Sequence, residues 1–170
     1  MFEQDFTDAI ALLKADHRKV EQLFAAFNEA KGASRKEKLA REICTELKIH
    51  TMIEEEIFYP AFEGKIEQDL LDEAYVEHDA AKVLVNDIEA ATPDEAYYDA
   101  KVKVLCEEIE HHVKEEEKPK EGMFAQCRET EVDLVELRDR MLARKEELMA
   151  QAEGEGLPPA QVSAVDLTSA

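Results

Sequence analysis

A chain of 170 residues with a formal charge of −20, five Gly, five Pro and no Trp is long enough for one domain with a real core. Its wealth of Glu, Lys, Ala and Leu favours an all-helical protein. The charge argues against nucleic acid and anionic membrane surfaces, because little here would neutralise phosphates. No stretch approaches the roughly 20 apolar residues of a membrane span, and the N-terminus has no basic region followed by an apolar run. Cys44, Cys106 and Cys127 are too few for a disulfide framework and include no Cys-x-x-Cys. A cytoplasmic protein with free thiols is expected.

The first helix is predicted from about Phe6 to Ala30, on the stripe Ile10, Leu13, His17, Val20, Phe24 and Phe27, whose steps of three and four mark one helical face. Gly32 supplies a stop, and Ser34 with Glu37 reads as a capping box for a second helix ending near Tyr59-Pro60. Its buried face runs Ile43, Leu47, His50, Glu54. After Gly64 a third helix, Asp69 to Ala91, carries Leu71, Ala74, His78, Ala81, Val85 and Ile88. Thr92-Pro93-Asp94-Glu95 reads as a helix start, and the fourth helix presents Val102, Leu105, Ile109, His112 and Glu116 up to Lys118-Pro119. A fifth amphipathic helix from Glu131 to Gln151 should pack on the bundle through Val132, Val135, Met141, Leu142 and Leu148. The expected architecture is therefore an up-down-up-down four-helix bundle with an additional C-terminal helix, spanning residues 1–152, followed by a flexible tail over 153–170.

The chain repeats itself. Leu47-x2-His50-x3-Glu54 matches Ile109-x2-His112-x3-Glu116. His17 and His78 precede their respective partners by 33 and 34 residues, each with an acidic residue before it, Asp16 and Glu77. At about 1.5 Å per residue, His17, His50 and His78 fall at one level of the bundle. His112 lies about five residues further from Thr92 than His78 does, which a longer overhang or a tilt would have to absorb.

A histidine on an apolar stripe is costly to bury without a partner, and a single one is most simply a satisfied core residue. Four such histidines with two glutamates one turn later suit something else: a pair of metal ions, each taking two imidazoles, with the carboxylates shared between ions within about 4 Å of each other. Imidazole and carboxylate without thiolate suit iron. His111 and Glu115 have the same spacing as His112 and Glu116, but only the latter pair continues the stripe of Leu105 and Ile109; His111 is turned toward the flank.

The segments Asp16-His17-Arg-Lys-Val, His50-x3-Glu54-Glu55-x2-Phe58-Tyr59-Pro60, Glu77-His78 and His112-x3-Glu116-Glu117 together resemble the hemerythrin-like family, the cation-binding HHE domains of bacteria, over roughly residues 7 to 150. The resemblance implies two non-haem irons, oxo- or hydroxo- and carboxylate-bridged, held by His17, His50, Glu54, His78, His112 and Glu116. It also implies a small diatomic or peroxide ligand. The oxygen-carrying hemerythrins have a further histidine one turn before the third-helix histidine; this chain has Ala74 there. Tyr59 is the candidate additional ligand, ahead of Tyr75, Glu55 and Glu117. A second departure is Lys118-Pro119-Lys120-Glu121-Gly122, which interrupts the end of the fourth helix before Met123-Phe124. The expected function is binding of, or reaction with, dioxygen, peroxide or nitric oxide in a stress response, with peroxidase- or catalase-like turnover in view and an electron donor to be found. The alternative is iron storage, sensing or donation without turnover. A monomer or weak dimer is expected.

Overall fold

The first helix, α1 (Ala9–Glu29), begins where Asp8 caps it, the carboxylate accepting from Ala11 N at 2.9 Å. The apolar run alone would have started it near Phe6, but the first free N–H groups of a helix need an acceptor. The computed structural model describes residues 5–168, and among them it contains helices and turns but no strand. After α1 come α2 (Ala33–Ile53), a π-helical turn at Glu54–Phe58, α3 (Tyr59–Phe62), α4 (Gln68–Ala90), α5 (Tyr98–Glu117), α6 (Met123–Arg128) and α7 (Leu134–Glu153).

Helices α1, α2 with its π-turn and α3, α4 and α5 form the four-helix bundle, and α7 lies across α1 and α2. Asp133 caps α7 by accepting from Val135 N and Glu136 N, both at 3.0 Å. Its buried face is Leu137, Met141 and Leu148. Val135, expected inside, is 46 % exposed, and Val132 lies before the helix.

Three connections differ from the sequence expectation. Ser34 and Glu37 do not form a capping box: Gly32, at φ 89°, precedes the helix with no side-chain cap, and Glu37 instead pairs with Arg41 at 2.9 Å. Thr92 and Glu95 do close on each other, Glu95 Oε1 accepting from Thr92 N at 3.1 Å, but they close a turn. The helix begins only at Tyr98, after Tyr97 adopts φ 68°. That turn takes up most of the excess length before His112, whose Nε2 meets His78 Nε2 at 3.2 Å. At the other end, Gly122 lets the chain double back: a Cβ there would sit 2.4 Å from Lys118 O. The reversal returns α6 to the bundle, with Phe124 buried.

The stretch 153–170, expected to be a flexible tail, is tied down where the structure describes it. Glu153 still belongs to α7. Beyond it, Pro158 O accepts from Lys48, Ala160 exchanges hydrogen bonds with the Asn86 side chain at 2.8 Å each way, and Ser163, Ala164 and Val165 donate their N–H groups to Asp79. Composition alone does not show that Asn86 and Asp79 wait on α4 to receive this backbone.

The core falls into two apolar clusters. One, at the loop end, gathers Ile10, Leu13, Ile53, Phe58, Phe62, Leu71, Phe124 and Met141; the other gathers Val20, Phe24, Ile43, Leu47, Val85, Tyr98 and Leu105. Along each of the four helices a buried polar residue separates the two: His17, His50 with Glu54, His78, and His112 with Glu116. No helix among the described residues is long and apolar enough to cross a membrane. Cys44, Cys106 and Cys127 are free thiols.

Candidate metal centre

Each of the four helices delivers its histidine to the same layer because each stripe places that residue on the inward face. The result is two overlapping groups: His17, His50, Glu54 and Glu116 form one, and Glu54, His78, His112 and Glu116 the other. Within each group the facing atoms lie within 4.8 Å of one another. All six residues are buried. His111, by contrast, has a side chain that is 67 % exposed and stands 3.3 Å from Glu77, outside this layer.

The outer nitrogens show how the rings are aimed. His17 Nδ1 donates to Glu117 Oε2 at 2.7 Å, His50 Nδ1 to Asp16 Oδ2 at 3.0 Å, His78 Nδ1 to Glu55 Oε2 at 3.0 Å, and His112 Nδ1 to Glu77 Oε1 at 3.0 Å. Every one of these carboxylates is the sequence neighbour of an inward-facing residue on the adjacent helix. Asp16 precedes His17 and serves His50; Glu55 follows Glu54 and serves His78; Glu77 precedes His78 and serves His112; Glu117 follows Glu116 and serves His17. The contacts close a ring around the bundle, so each ring's orientation is set by its neighbour helix. Glu55 and Glu117, the weaker ligand candidates, point at Nδ1 atoms instead of inward.

With Nδ1 carrying the hydrogen, each Nε2 presents a lone pair inward. The interior then holds eight acceptor atoms, four imidazole nitrogens and four carboxylate oxygens. Tyr59 brings one hydroxyl hydrogen. Its oxygen stands 2.6 Å from Glu116 Oε1, 2.9 Å from Glu54 Oε2, 3.2 Å from His78 Nε2 and 3.5 Å from His112 Nε2. His78 Nε2 and His112 Nε2 face each other at 3.2 Å. On the other side His17 Nε2, His50 Nε2, Glu54 Oε1 and Glu116 Oε2 are buried with no hydrogen-bond partner, although His50 Nε2 is 3.1 Å from Glu54 Oε1 and His17 Nε2 is 3.4 Å from Glu116 Oε2. So many converging acceptors are satisfied only by positive charge. The donor set therefore fits metal cations, and its N/O composition fits iron.

The electrostatics agree. Burial works against charge on His50, yet Glu54 and Asp16 raise its pKa to about 10. Burial likewise opposes charge on His17 and His112, but Glu116, with Glu117 and Glu77 respectively, raises both. Burial would raise Glu116, but His112 and His17 hold it well below the usual carboxylate range. Burial and the Glu116 and Glu54 charges keep the Tyr59 hydroxyl protonated far above its ordinary value; a cation in the same place would reverse that sign.

Tyr59 reaches this position through the π-turn. Its N–H bonds to Glu54 O, five residues back, so Tyr59 stands over Glu54 rather than one residue off its face. Pro60 gives the reason: it has no N–H for the carbonyl of Glu56 and its ring would crowd that carbonyl, which disfavours a regular ladder through the preceding turn. The tyrosine packs edge-on against Tyr75 at 5.4 Å, with Ala74 buried in the same cluster. On the opposite side Phe124 stacks on His17 at 5.9 Å, and Phe58 closes on Phe124 at 5.8 Å.

Comparison with known proteins gives the same direction. A family model described as the hemerythrin HHE cation-binding domain matches residues 8–127. A crystal structure of a hemerythrin HHE cation-binding domain-containing protein from Mycobacterium kansasii superimposes with a TM-score of 0.71 at 23 % identity, covering 89 % of this chain and 95 % of that one. Among curated proteins, a DNA nickase from Nostoc sp. (strain PCC 7120) is 26 % identical over 106 residues, 62 % of this chain; the match spans only 30 % of the nickase's length.

Proposed function

This chain belongs to the hemerythrin HHE cation-binding family, and we propose that its centre is a pair of non-haem irons that meets dioxygen, peroxide or nitric oxide. The observation that carries the reading is the overlap of the two four-residue groups at Glu54 and Glu116: two imidazoles a side and two carboxylates common to both groups would suit two ions, the carboxylates offsetting part of their charge. His17 and His50 would hold one ion, His78 and His112 the other, with Glu54 and Glu116 common to both. Iron held by these residues would supply a redox-active centre for small oxidants.

The protein's own groups define what happens around it. The four outer carboxylates hold the imidazoles in one tautomer, so each ring offers the same nitrogen inward. Phe58, Phe62 and Phe124, all buried, keep bulk water from the layer. Tyr59 marks the side of His78 and His112 as the reactive one. Its hydroxyl lies within hydrogen-bonding distance of both shared carboxylates, so it can hold a proton there or, once deprotonated, stand as the further oxygen ligand that Ala74 cannot provide.

The test is elemental analysis with a visible spectrum before and after peroxide. Two irons per chain and a ferric absorption that changes on adding peroxide are the expected result; a protein that takes up no iron, or iron indifferent to oxygen, peroxide and nitric oxide, overturns the reading. The depth of burial, with Glu54 and Tyr59 both at 0 % exposure, favours one second reading: iron held in store, to be released on demand, rather than turned over. Transfer of iron to an apo iron–sulfur acceptor, without peroxide consumption, would select it. A DNA-directed activity has no support in the chain's composition, whose charge of −20 opposes contact with phosphates.

A further inference from the structure

The four carboxylates around the site are not supported alike. Arg18 backs Glu117 at 2.6 Å, Lys145 of α7 backs Asp16, and His111 stands beside Glu77 at 3.3 Å. Glu55 is backed from two directions: Lys82 reaches its oxygens at 2.8 and 3.0 Å, and the Ser163 hydroxyl donates to Oε1. Ser163 belongs to the C-terminal segment, more than a hundred residues away in sequence.

That segment is fastened at a specific point. Asp79 follows His78 on α4, and its side chain is fully buried. Its carboxylate accepts Ser163 N at 2.8 Å, Ala164 N at 2.6 Å and Val165 N at 2.7 Å. Three successive N–H groups closing on one carboxylate form a concave anion-binding backbone, and charge-assisted bonds of this kind are among the stronger ones. Lys82 joins the two ends, 3.2 Å from Asp79 Oδ1 and 3.2 Å from Ser163 Oγ. Upstream, the Lys48 and Asn86 contacts and the packing of Leu157 on the apolar cluster set the segment's path. Between these ties it does not pack flat, leaving a cavity of about 370 Å³ lined by Thr51, Met52, Glu55, Lys82 and Pro159 among others. Polar ties, rather than apolar contact, therefore hold it beside Glu55.

We propose that the segment from Leu157 to Val165 is a positioning element of the metal centre: through Ser163 and Lys82 it fixes Glu55, Glu55 fixes the ring of His78, and the segment thereby sets how firmly the His78–His112 half keeps its ion. The metal part of this inference rests on the di-iron reading above; the contact from Ser163 through Glu55 to His78 does not. The sequence order Glu77-His78-Asp79 then has three separate duties. Glu77 orients His112, His78 faces the ion, and Asp79 captures the backbone that orients His78's own partner. The first repeat has no counterpart, since Arg18 follows His17 and acts on Glu117 directly.

The experiment compares the full chain with Ser163→Ala, Ser163→Thr, Asp79→Asn and a chain ended after Gly156, with Gln161→Ala as a control on the same segment. In the metal-free proteins, the imidazole Nδ1–H signal of His78 is followed by NMR. It should exchange faster with water in Ser163→Ala, Asp79→Asn and the shortened chain, and recover in Ser163→Thr; an unchanged His78 signal in Ser163→Ala and the shortened chain overturns the proposal. After loading with ferrous iron, release to a chelator should become biphasic in those variants. One ion should leave roughly 10-fold faster, the scale of losing an outer partner of a ligand, and the other at the wild-type rate. Unchanged release, or equal acceleration of both ions, overturns it too. A wild-type chain that takes up no iron would sink the di-iron reading, while the His78 signal still decides the positioning role.

Discussion

The two halves of the centre share one plan and differ in what surrounds it. Each takes a histidine from each of two neighbouring helices and shares Glu54 and Glu116 with the other. The His17–His50 half is backed by residues on regular helices: Phe124 of α6 against His17, α7's Lys145 against Asp16, and Arg18 of α1 against Glu117. The His78–His112 half is reached by the irregular parts of the chain, the π-turn that aims Tyr59 and the C-terminal segment that braces Glu55. Duplicated ligands therefore do not make duplicated sites. The halves are distinguished by single residues on elements that the internal repeat does not include.

Substitutions should separate the halves in a graded way. The largest effect belongs to the shared residues: Glu54→Ala should abolish binding of both ions, read as less than one iron per chain by elemental analysis. Two irons retained would mean Glu54 is not common to the halves. Next, His50→Ala should remove the ion of the His17–His50 half while His111→Ala keeps both; equal loss in the two variants would place the wrong histidine of α5 in the centre. Asp16→Asn should weaken only the His17–His50 half, by about 10-fold or somewhat more, measured by competition with a chelator. Tyr59→Phe should leave both irons bound and change the visible spectrum and the response to peroxide, with no effect on release from the His17–His50 half; an unchanged spectrum would reduce Tyr59 to packing.

The smallest effect is on the pH dependence of the metal-free chain. His50 has a folded pKa raised to about 10 by Glu54 and Asp16 against the opposing effect of burial. Its contribution to stability is therefore complete below its unfolded value near 6.5 and lost as pH rises toward 10. Glu116, lowered by His112 and His17 against burial, contributes in the opposite sense: its part is present above its unfolded value of about 4.3 and lost as pH falls below that. Denaturant titrations across pH should show the alkaline loss in the wild type and less of it in His50→Gln.

Much of this was readable in the sequence because helical periodicity and metal ligation use the same positions. The stripes of α1 and α4 are buried residue for residue as their spacing predicts, and a histidine that continues such a stripe must face inward. His112 was separable from His111 on that ground alone. What periodicity does not carry is any departure from the regular ladder. The π-turn has no spacing signature beyond Pro60, so Tyr59 was legible as a candidate but not in its pose over Glu54. Thr92 and Glu95 satisfy each other whether a helix or a turn follows, and only burial of Tyr98 against Phe27 selects the later start. The docked C-terminal segment was out of reach, because its partners, Asp79, Lys82 and Asn86 on α4 with Lys48 and Glu55, look in the sequence like any solvated polar residues. The ring of outer carboxylates lay between these cases: Asp16 and Glu77 stood out beside their histidines, but their true partners sit on the next helix.

The polar layer that divides the apolar core has a consequence for cooperativity. A core normally ties a domain into one unit because contact is continuous through it. Here the clusters around Phe62 and around Phe24 are separated by a plane of acceptors whose cohesion depends on what positive charge fills it. Metal binding to such a layer is folding free energy. With ions in place the bundle should open as a single block. With the layer held only by protons, the two ends become separable units, and hydrogen exchange should find amides of the Leu39 end and the Phe62 end opening at different free energies.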